Sequence, residues 1–269
     1  MITFPNCKIN LGLNITEKRS DSYHNIETIF YPIPIEDALE IVPSYKDSTT
    51  LSISGIEISG NLEQNLVMKA YRLLERDFNL PTVQIFLLKN IPFGAGLGGG
   101  SSDAAFTLKL LNELFSLNLD ITVLKKYSSK LGADCAFFIE NRPMLATGIG
   151  DILEPIQINL KGYWILIVKP PFSVSTQEAY AGVQPQKKDK SLKELISVPI
   201  TEWKNLIFND FEKHIFQKYP KIEAIKQKMY AHQALYASMS GSGSAVYGIF
   251  DNEPNISFEE DYFIFKTKF

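Results

Sequence analysis

A glycine-rich stretch at residues 91–103 is the part of the chain whose composition most directly indicates chemistry. It reads Ile-Pro-Phe-Gly-Ala-Gly-Leu-Gly-Gly-Gly-Ser-Ser-Asp, with five glycines in seven positions. Glycine adds no side chain to a core and loses the most backbone entropy on folding, so packing does not explain such a run. What the run offers is backbone N–H groups that a negatively charged ligand can approach closely. It therefore predicts a phosphate-binding loop.

The residues on either side of this stretch predict a strand before it and a helix after it. Residues 83–89 alternate in polarity and are rich in strand formers. Ser101, Ser102 and Asp103 are each candidates to cap a helix, and apolar residues then recur at helical spacing. The positive end of the helix dipole would add to the attraction for phosphate.

Two known phosphate motifs and one structural alternative compete with this interpretation. A P-loop needs a lysine after its last glycine, but Ser101 follows Gly100 directly. The dinucleotide pattern G-x-G-x-x-G is matched by Gly94, Gly96 and Gly99, yet it also needs a second strand that ends in an acid about 20 residues on. Residues 116–131 instead read as a loop and another helix. A glycine-rich turn without a ligand is the remaining alternative.

Other polar residues are ordinary when each is taken alone. Lys8 and Asn10 share one face of an apolar strand, where a lysine commonly extends its ammonium group to water. Asp134 precedes an apolar run and could simply cap the next turn. Asn65 is the predicted N-cap of an amphipathic helix.

The whole-chain composition favours a globular protein of one large or two smaller domains. The chain has 269 residues, 45% of them hydrophobic and 21% charged. A net charge of −3 disfavours a nucleic-acid surface, and no apolar run is long enough to span a membrane. Two cysteines cannot form a disulfide scaffold. We expect a cytoplasmic protein that binds neither nucleic acid nor membrane.

Three motifs in order give the chain a resemblance to the GHMP kinase superfamily. They are the lysine-bearing strand at 7–13, the pattern P-x-x-x-G-L-G-x-x-S-S at 92–102, and a small-residue loop at 239–244. The Asp-Ser-Tyr-His turn at 21–24 and the segment at 131–138 are similar to the branch that phosphorylates a cytidine-diphosphate-linked methylerythritol.

Three positions depart from the pattern of that branch. Ser22 stands where glycine is usual, so a positive φ there would be mildly strained. Ala136 replaces a proline and Cys7 replaces an alanine. None of the three departures removes a group that does chemistry.

The resemblance implies an α+β fold with two domains. The expected N-terminal ATP-binding domain covers 1–157 and has the ribosomal-protein-S5-like domain 2 type of fold. The expected C-terminal domain covers 158–269 and is an α/β sandwich with an antiparallel sheet. The implied activity is ATP-dependent, Mg²⁺-assisted phosphorylation of the 2-hydroxyl of the cytidyl-methylerythritol, in the non-mevalonate route to isoprenoid precursors. We expect a monomer or weak homodimer.

The resemblance also assigns roles to individual residues. Asp134 is implied as the base and Lys8 as its charge partner. Ser101 is the implied contact to Mg²⁺. The residues implied in ATP binding are Pro92, Gly94, Ala95, Gly96, Leu97, Gly98, Gly99, Gly100, Ser101, Ser102, Asn65 and Lys89. Those implied in acceptor binding are Asn10, Tyr23, His24 and Tyr180.

Two alternatives for the function stay open at this point. The chain could be another GHMP small-molecule kinase, acting on homoserine, mevalonate or a sugar. It could also be a non-catalytic nucleotide-binding module, although the joint presence of Lys8 and Asp134 disfavours that.

Overall fold

The computed structural model describes residues 1–58 and 60–269, and it confirms the predicted mixture of strands and helices. The strands are β1 (Ile2–Thr3), β2 (Asn6–Lys18), β3 (His24–Glu36), β4 (Ala38–Pro43), β5 (Thr50–Gly55), β6 (Val83–Lys89), β7 (Met144–Thr147), β8 (Ile152–Pro155), β9 (Trp164–Lys169), β10 (Tyr236–Met239), β11 (Val246–Phe250) and β12 (Phe263–Lys268). The helices are α1 (Leu66–Phe78), α2 (Gly99–Leu114), α3 (Ile121–Ser129), α4 (Cys135–Glu140), α5 (Thr176–Ala181), α6 (Leu192–Leu195), α7 (Ile200–Leu206), α8 (Glu212–Lys218) and α9 (Pro220–Ala231). Within the described ranges, every helix is too short or too polar to cross a membrane.

The chain divides into two compact units, each built from several stretches of sequence. The first comprises Met1–Lys8, Pro32–Phe93 and Gly98–Arg142. The second comprises Ile9–Tyr31, Gly94–Leu97 and Pro143–Phe269. The predicted domain boundary between residues 157 and 158 stays a prediction.

The first unit packs helices on a four-stranded sheet with the order β1-β4-β6-β5. The β4–β6 pair is antiparallel and the β5–β6 pair is parallel. Alternation along β6 buries Val83, Ile85 and Leu87, because successive side chains point to opposite faces of a strand. Helix α2 packs against α1 and α4 and is buried along most of its length. The loop between β6 and α2 is thus anchored by a buried element at each end.

The second unit contains one whole sheet, the greater part of another and the helices α5 to α9. One sheet has the order β10-β11-β9-β12 and is antiparallel throughout, as predicted for the C-terminal part. The other joins β2, β3, β7 and β8. Helix α9 begins at a proline and packs on β10 and β11, where Ile222, Ile225 and Met229 enter a common core.

Ser22, which stands where glycine is usual, has a left-handed backbone. Its φ is +70°, in the tight turn between β2 and β3. A left-handed backbone costs a residue with a side chain about 1–2 kcal/mol. Ser22 therefore makes this turn slightly less stable than a glycine at the same position would.

Candidate active site

The first turn of α2, in the first unit, carries the end of the glycine-rich stretch. Gly98 precedes the helix with φ +72° and, as a glycine, has no side chain with which to cap it. The expectation that Ser101, Ser102 or Asp103 caps this helix is wrong, because the helix begins at Gly99 and they lie inside it. N–H groups without a side-chain cap, at the positive end of a helix dipole, form an anion-binding site.

The two serines of this turn differ in their surroundings. Ser101 is half-buried. Ser102 Oγ is buried and has no hydrogen-bond partner among the described residues. The first serine is thus the more accessible of the two predicted phosphate contacts.

The preceding part of the loop, Gly94–Leu97, belongs to the second unit and is braced there by the small-residue loop. Ser240 Oγ donates to the Gly96 carbonyl at 2.9 Å, and the Ala245 N–H donates to the Ala95 carbonyl at 3.2 Å. A Cβ placed on Gly96, whose φ is +73°, would lie 1.9 Å from the Ser240 carbonyl oxygen. Only glycine therefore permits this approach between the two backbones.

Gly96→Ala is expected to destabilise the fold and to weaken ATP binding. Besides the roughly 1–2 kcal/mol for a left-handed backbone, the Ser240 carbonyl would have to move. Gly162→Ala is the matched control, because φ is +99° there and no described atom beyond its chain neighbours lies within 4 Å of the added Cβ. Urea unfolding and the KM for ATP would be measured for both variants. Equal losses in the two would contradict the close approach at Gly96.

Lys8 and Asp134 come together in the first unit. Lys8 Nζ lies 3.3 Å from Asp134 Oδ2, with the lysine side chain 4% exposed and the aspartate 34% exposed. A Cβ on Gly98 would lie 3.1 Å from Lys8 Cε, so the start of α2 packs directly on the lysine stem. Asp134 precedes α4 but makes no capping hydrogen bond to a described residue. The capping role that its position suggested is therefore wrong, since its carboxylate pairs with Lys8 instead.

A second ion cluster, which the sequence did not reveal, lies under the phosphate loop in the first unit. Lys89 Nζ donates to Asp103 Oδ2 at 2.6 Å and also pairs with Asp37. Asp37 Oδ1 accepts the N–H groups of Asn90 and Ile91 at 2.6 and 2.8 Å. Burial raises the pKa of Asp103 to about 7, against the lowering effect of the Lys89 charge.

The cluster gives Lys89 a structural role. It ties the end of β6 to the first turns of α2 across the phosphate loop. Asn65 likewise has the predicted structural role, since its side chain accepts the Val67 N–H at 2.9 Å at the start of α1. The predicted contacts of both residues with ATP stay predictions.

The predicted acceptor residues lie in the second unit. His24 and Tyr180 stack with ring centroids 4.9 Å apart and 22° between the ring planes. The Tyr23 side chain, next along the chain, is exposed. Asn10 is buried, and its Nδ2 donates to Thr28 Oγ1 at 2.9 Å. The structure thus brings two of the three predicted ring-binding residues into direct contact.

Both cysteines are buried and unreactive by environment. Burial is the main cause that raises the pKa of Cys7 and of Cys135 to about 12. The thiol forms therefore persist at pH 8, and the thiolate is the nucleophile. We expect a disulfide reagent at pH 8 to label neither cysteine in the native protein and both in denaturant. Stoichiometric labelling of the native protein would contradict the burial.

Comparison with known proteins relates this geometry to one superfamily. The model of the GHMP kinases N terminal domain matches residues 65–142, and that of the GHMP kinases C terminal domain matches 192–262. The 4-diphosphocytidyl-2-C-methyl-D-erythritol kinase of Bacteroides fragilis is 60% identical over 259 residues, which are 96% of this chain and 94% of that protein.

Solved structures of GHMP kinases also match this chain. A crystal structure of 4-(cytidine 5'-diphospho)-2C-methyl-D-erythritol kinase matches with a TM-score of 0.77 and 32% identity, over 93% of this chain and 90% of that one. Homoserine kinase from Cytophaga hutchinsonii matches with a TM-score of 0.69 over 98% of this chain and 95% of that one. Because the latter identity is 14%, it shows the fold alone. The predicted two-part kinase fold is confirmed.

Proposed function

The chain belongs to the 4-diphosphocytidyl-2-C-methyl-D-erythritol kinase family of GHMP kinases, and from this membership we propose that it phosphorylates the 2-hydroxyl of that cytidyl compound with ATP. The reaction belongs to the synthesis of isoprenoid precursors by the non-mevalonate route. The observation that carries the proposal is the ion pair of Lys8 and Asp134 beside the first turn of α2.

The chemical step needs one proton acceptor and one stabilising positive charge. Asp134 accepts the proton of the acceptor's 2-hydroxyl group while the oxygen of that hydroxyl attacks the γ-phosphorus of ATP. The bond between that phosphorus and the β,γ-bridging oxygen breaks, and ADP leaves with the electron pair. Lys8, 3.3 Å from Asp134, offsets the charge that builds on the transferring group. Phosphoryl transfer asks a protein chiefly for such positioning and charge stabilisation.

The ATP contacts follow from the loop. Backbone N–H groups of 94–100 and of the first turn of α2 bind the phosphates, and Pro92 starts the loop in its rigid turn. Asn65 and Lys89 are the candidates for contact with the adenosine end.

Mg²⁺ fits this arrangement as a partner of ATP. Within residues 1–58 and 60–269 no group of three or more His, Cys, Asp or Glu is placed to hold a metal ion. Mg²⁺ prefers oxygen ligands and is commonly held by few protein groups together with substrate phosphates, so the half-buried Ser101 hydroxyl suits it. When bound, the ion neutralises charge on the β- and γ-phosphates.

The acceptor is recognised through its cytosine. Tyr23 and Tyr180 bind the flat ring from its two sides, and His24 hydrogen-bonds the base edge, which discriminates between bases by donor and acceptor pattern. The His24–Tyr180 stack supports this role, because it presents two of these groups together. Asn10 contacts the methylerythritol end.

One assay separates this function from its alternatives. ADP release would be measured with ATP, Mg²⁺ and, in turn, the cytidyl-methylerythritol, homoserine, mevalonate and galactose. We expect turnover with the cytidyl compound alone. Turnover with another acceptor would reassign the specificity, and no turnover with any would favour a nucleotide-binding module. Both alternatives are less supported by the family relationship than the proposed kinase.

A further inference from the structure

Residues 209–212, Asn-Asp-Phe-Glu, are the end of the connection from α7 and the first residue of α8 in the second unit, and the reaction described so far gives them no role. Asn209, Phe211 and Glu212 are all buried. Buried polar side chains require hydrogen-bond partners, so their partners identify what the segment holds in place.

Asn209 hydrogen-bonds the small-residue loop on both sides of Ser240. Its Nδ2 donates to the carbonyl of Met239 and to that of Gly241, each at 2.8 Å. Its Oδ1 accepts the Phe211 N–H at 3.0 Å. The side-chain amide thus uses both of its donors on the loop and orients itself through its acceptor.

Glu212 holds the entry to the same loop. Its Oε1 accepts the Met239 N–H at 2.8 Å and the Ser238 hydroxyl at 3.2 Å. Its Oε2 accepts from Lys226 Nζ at 2.6 Å, which balances the buried charge. Met239 is therefore fixed through its N–H by Glu212 and through its carbonyl by Asn209.

The position of this loop determines the position of Gly94–Leu97. Ser240 Oγ and the Ser240 carbonyl both contact Gly96, as described above. A shift of Ser240 therefore changes the first half of the phosphate loop, and a misplacement of about 1 Å can cost a rate factor of about 10².

Phe211 contacts Tyr180, one of the residues proposed to bind the acceptor. Its ring meets Tyr180 at a centroid distance of 4.9 Å and an angle of 84°. Tyr180 in turn stacks on His24. The edge-to-face pair fixes the tilt of Tyr180, because such pairs have a preferred geometry.

We propose that the 209–212 segment positions the binding groups for both substrates. Asn209 and Glu212 hold the loop that braces Gly94–Leu97, the second-unit part of the proposed phosphate loop, and Phe211 orients the tyrosine that stacks on the cytosine. This inference rests on the proposed function, since the two substrates are those of that reaction. These are positioning residues, because they act through Ser240 and Tyr180.

The test is a separation of kinetic effects within the one segment. Asn209→Ser is expected to raise the KM for ATP by about tenfold or more and to leave the acceptor KM within about twofold. Phe211→Leu is expected to raise the acceptor KM by about two- to tenfold, the size of an aromatic pair, with the ATP KM unchanged. If each variant changes both KM values by the same factor, the proposal is wrong.

Matched controls separate positioning from general loss of stability. Asn112 also bridges two backbone groups, donating to the Leu119 carbonyl at 3.2 Å and accepting its N–H at 2.9 Å. Phe258 stacks on Tyr262. Asn112→Ser and Phe258→Leu should lower the melting temperature and leave both KM values unchanged. The same KM shifts in the controls would overturn the proposal.

The route through Ser240 has its own test. Ser240→Ala removes one hydrogen bond from an otherwise intact loop, so it serves even if Asn209→Ser fails to fold. It should raise the KM for ATP, and its effect should not add to that of Asn209→Ser in the double variant. An unchanged KM in Ser240→Ala, or full additivity, would rule out this route.

Failure of the proposed function can be distinguished from failure of the inference about residues 209–212. If the wild-type chain turned over no acceptor, calorimetric binding would replace kinetics. Asn209→Ser should then weaken ADP alone, and Phe211→Leu should weaken cytidine 5'-diphosphate alone. Equal weakening of both ligands by each variant would overturn the inference independently of the reaction.

Discussion

Asp134→Asn is expected to lower kcat by about 10²–10⁴-fold while the KM for ATP changes little, because general base catalysis is typically worth that much. Asparagine has the same shape as aspartate but cannot take up the acceptor's proton. The start of α4 should be preserved, since the Asp134 side chain makes no capping hydrogen bond to any residue in the described ranges. The measurement is steady-state ADP release with saturating cytidyl-methylerythritol.

The control for this variant is Asp120→Asn. Asp120 caps α3 by accepting the Val123 N–H at 2.9 Å, and asparagine caps a helix about as well as aspartate. Its kcat should match that of the wild type. A folded Asp134→Asn protein with near-normal turnover would exclude Asp134 as the base.

Lys8→Met is expected to lower kcat by about 10²–10³-fold, the usual effect of removing one group that stabilises charge in the transition state. Methionine is unbranched and can fill the space of the lysine stem, against which Gly98 packs. Lys69→Met, on an exposed position of α1, is the matched control and should retain full activity. Equal activity of the two variants would show that the Lys8 charge takes no part in the reaction.

Asp134→Asn should lower the free energy of unfolding more than Lys8→Met does, because Lys8 is the more buried of the two side chains. Lys8→Met leaves an aspartate that is 34% exposed and can be hydrated. Asp134→Asn instead takes a counter-charge from a lysine that is 4% exposed, which costs more. Because Asp134 is partly hydrated, the loss should stay below the roughly 3–5 kcal/mol of a fully buried pair. Urea unfolding of both variants measures the difference, and the opposite order would contradict it.

Local patterns in the sequence predicted the elements around the site well. The alternation of 83–89 predicted β6, and Asn65 predicted the start of α1. Each of these depends on the chemistry of a few neighbouring residues, which a sequence displays directly. The start of α2 was predicted three to five residues late, because the expected side-chain caps are Ser101 to Asp103 and the observed cap is Gly98.

Contacts between distant residues could not be obtained in this way. Lys8 and Asp134 are each unremarkable, and only the resemblance to a kinase superfamily paired them. No pattern linked Asp37 to Lys89 or Asn209 to Met239, because their proximity is set by tertiary packing. The one local indication of such a contact is a polar residue in an otherwise apolar stretch, and it does not identify the residue that is contacted.

The glycine that precedes α2 links nucleotide binding to the stability of the first unit. Helices that begin at a serine or aspartate are stabilised by a side-chain cap typically worth about 1 kcal/mol, and Gly98, with φ +72°, supplies none. We expect a bound phosphate group to supply hydrogen-bond acceptors to that turn in place of a side-chain cap. At a nucleotide concentration of about 100 Kd, binding contributes roughly 2.7 kcal/mol to the free energy of unfolding. If the proposed phosphate site at α2 is right, we expect ATP to stabilise the hydrophobic core through the 16 residues of that helix, most of which are buried.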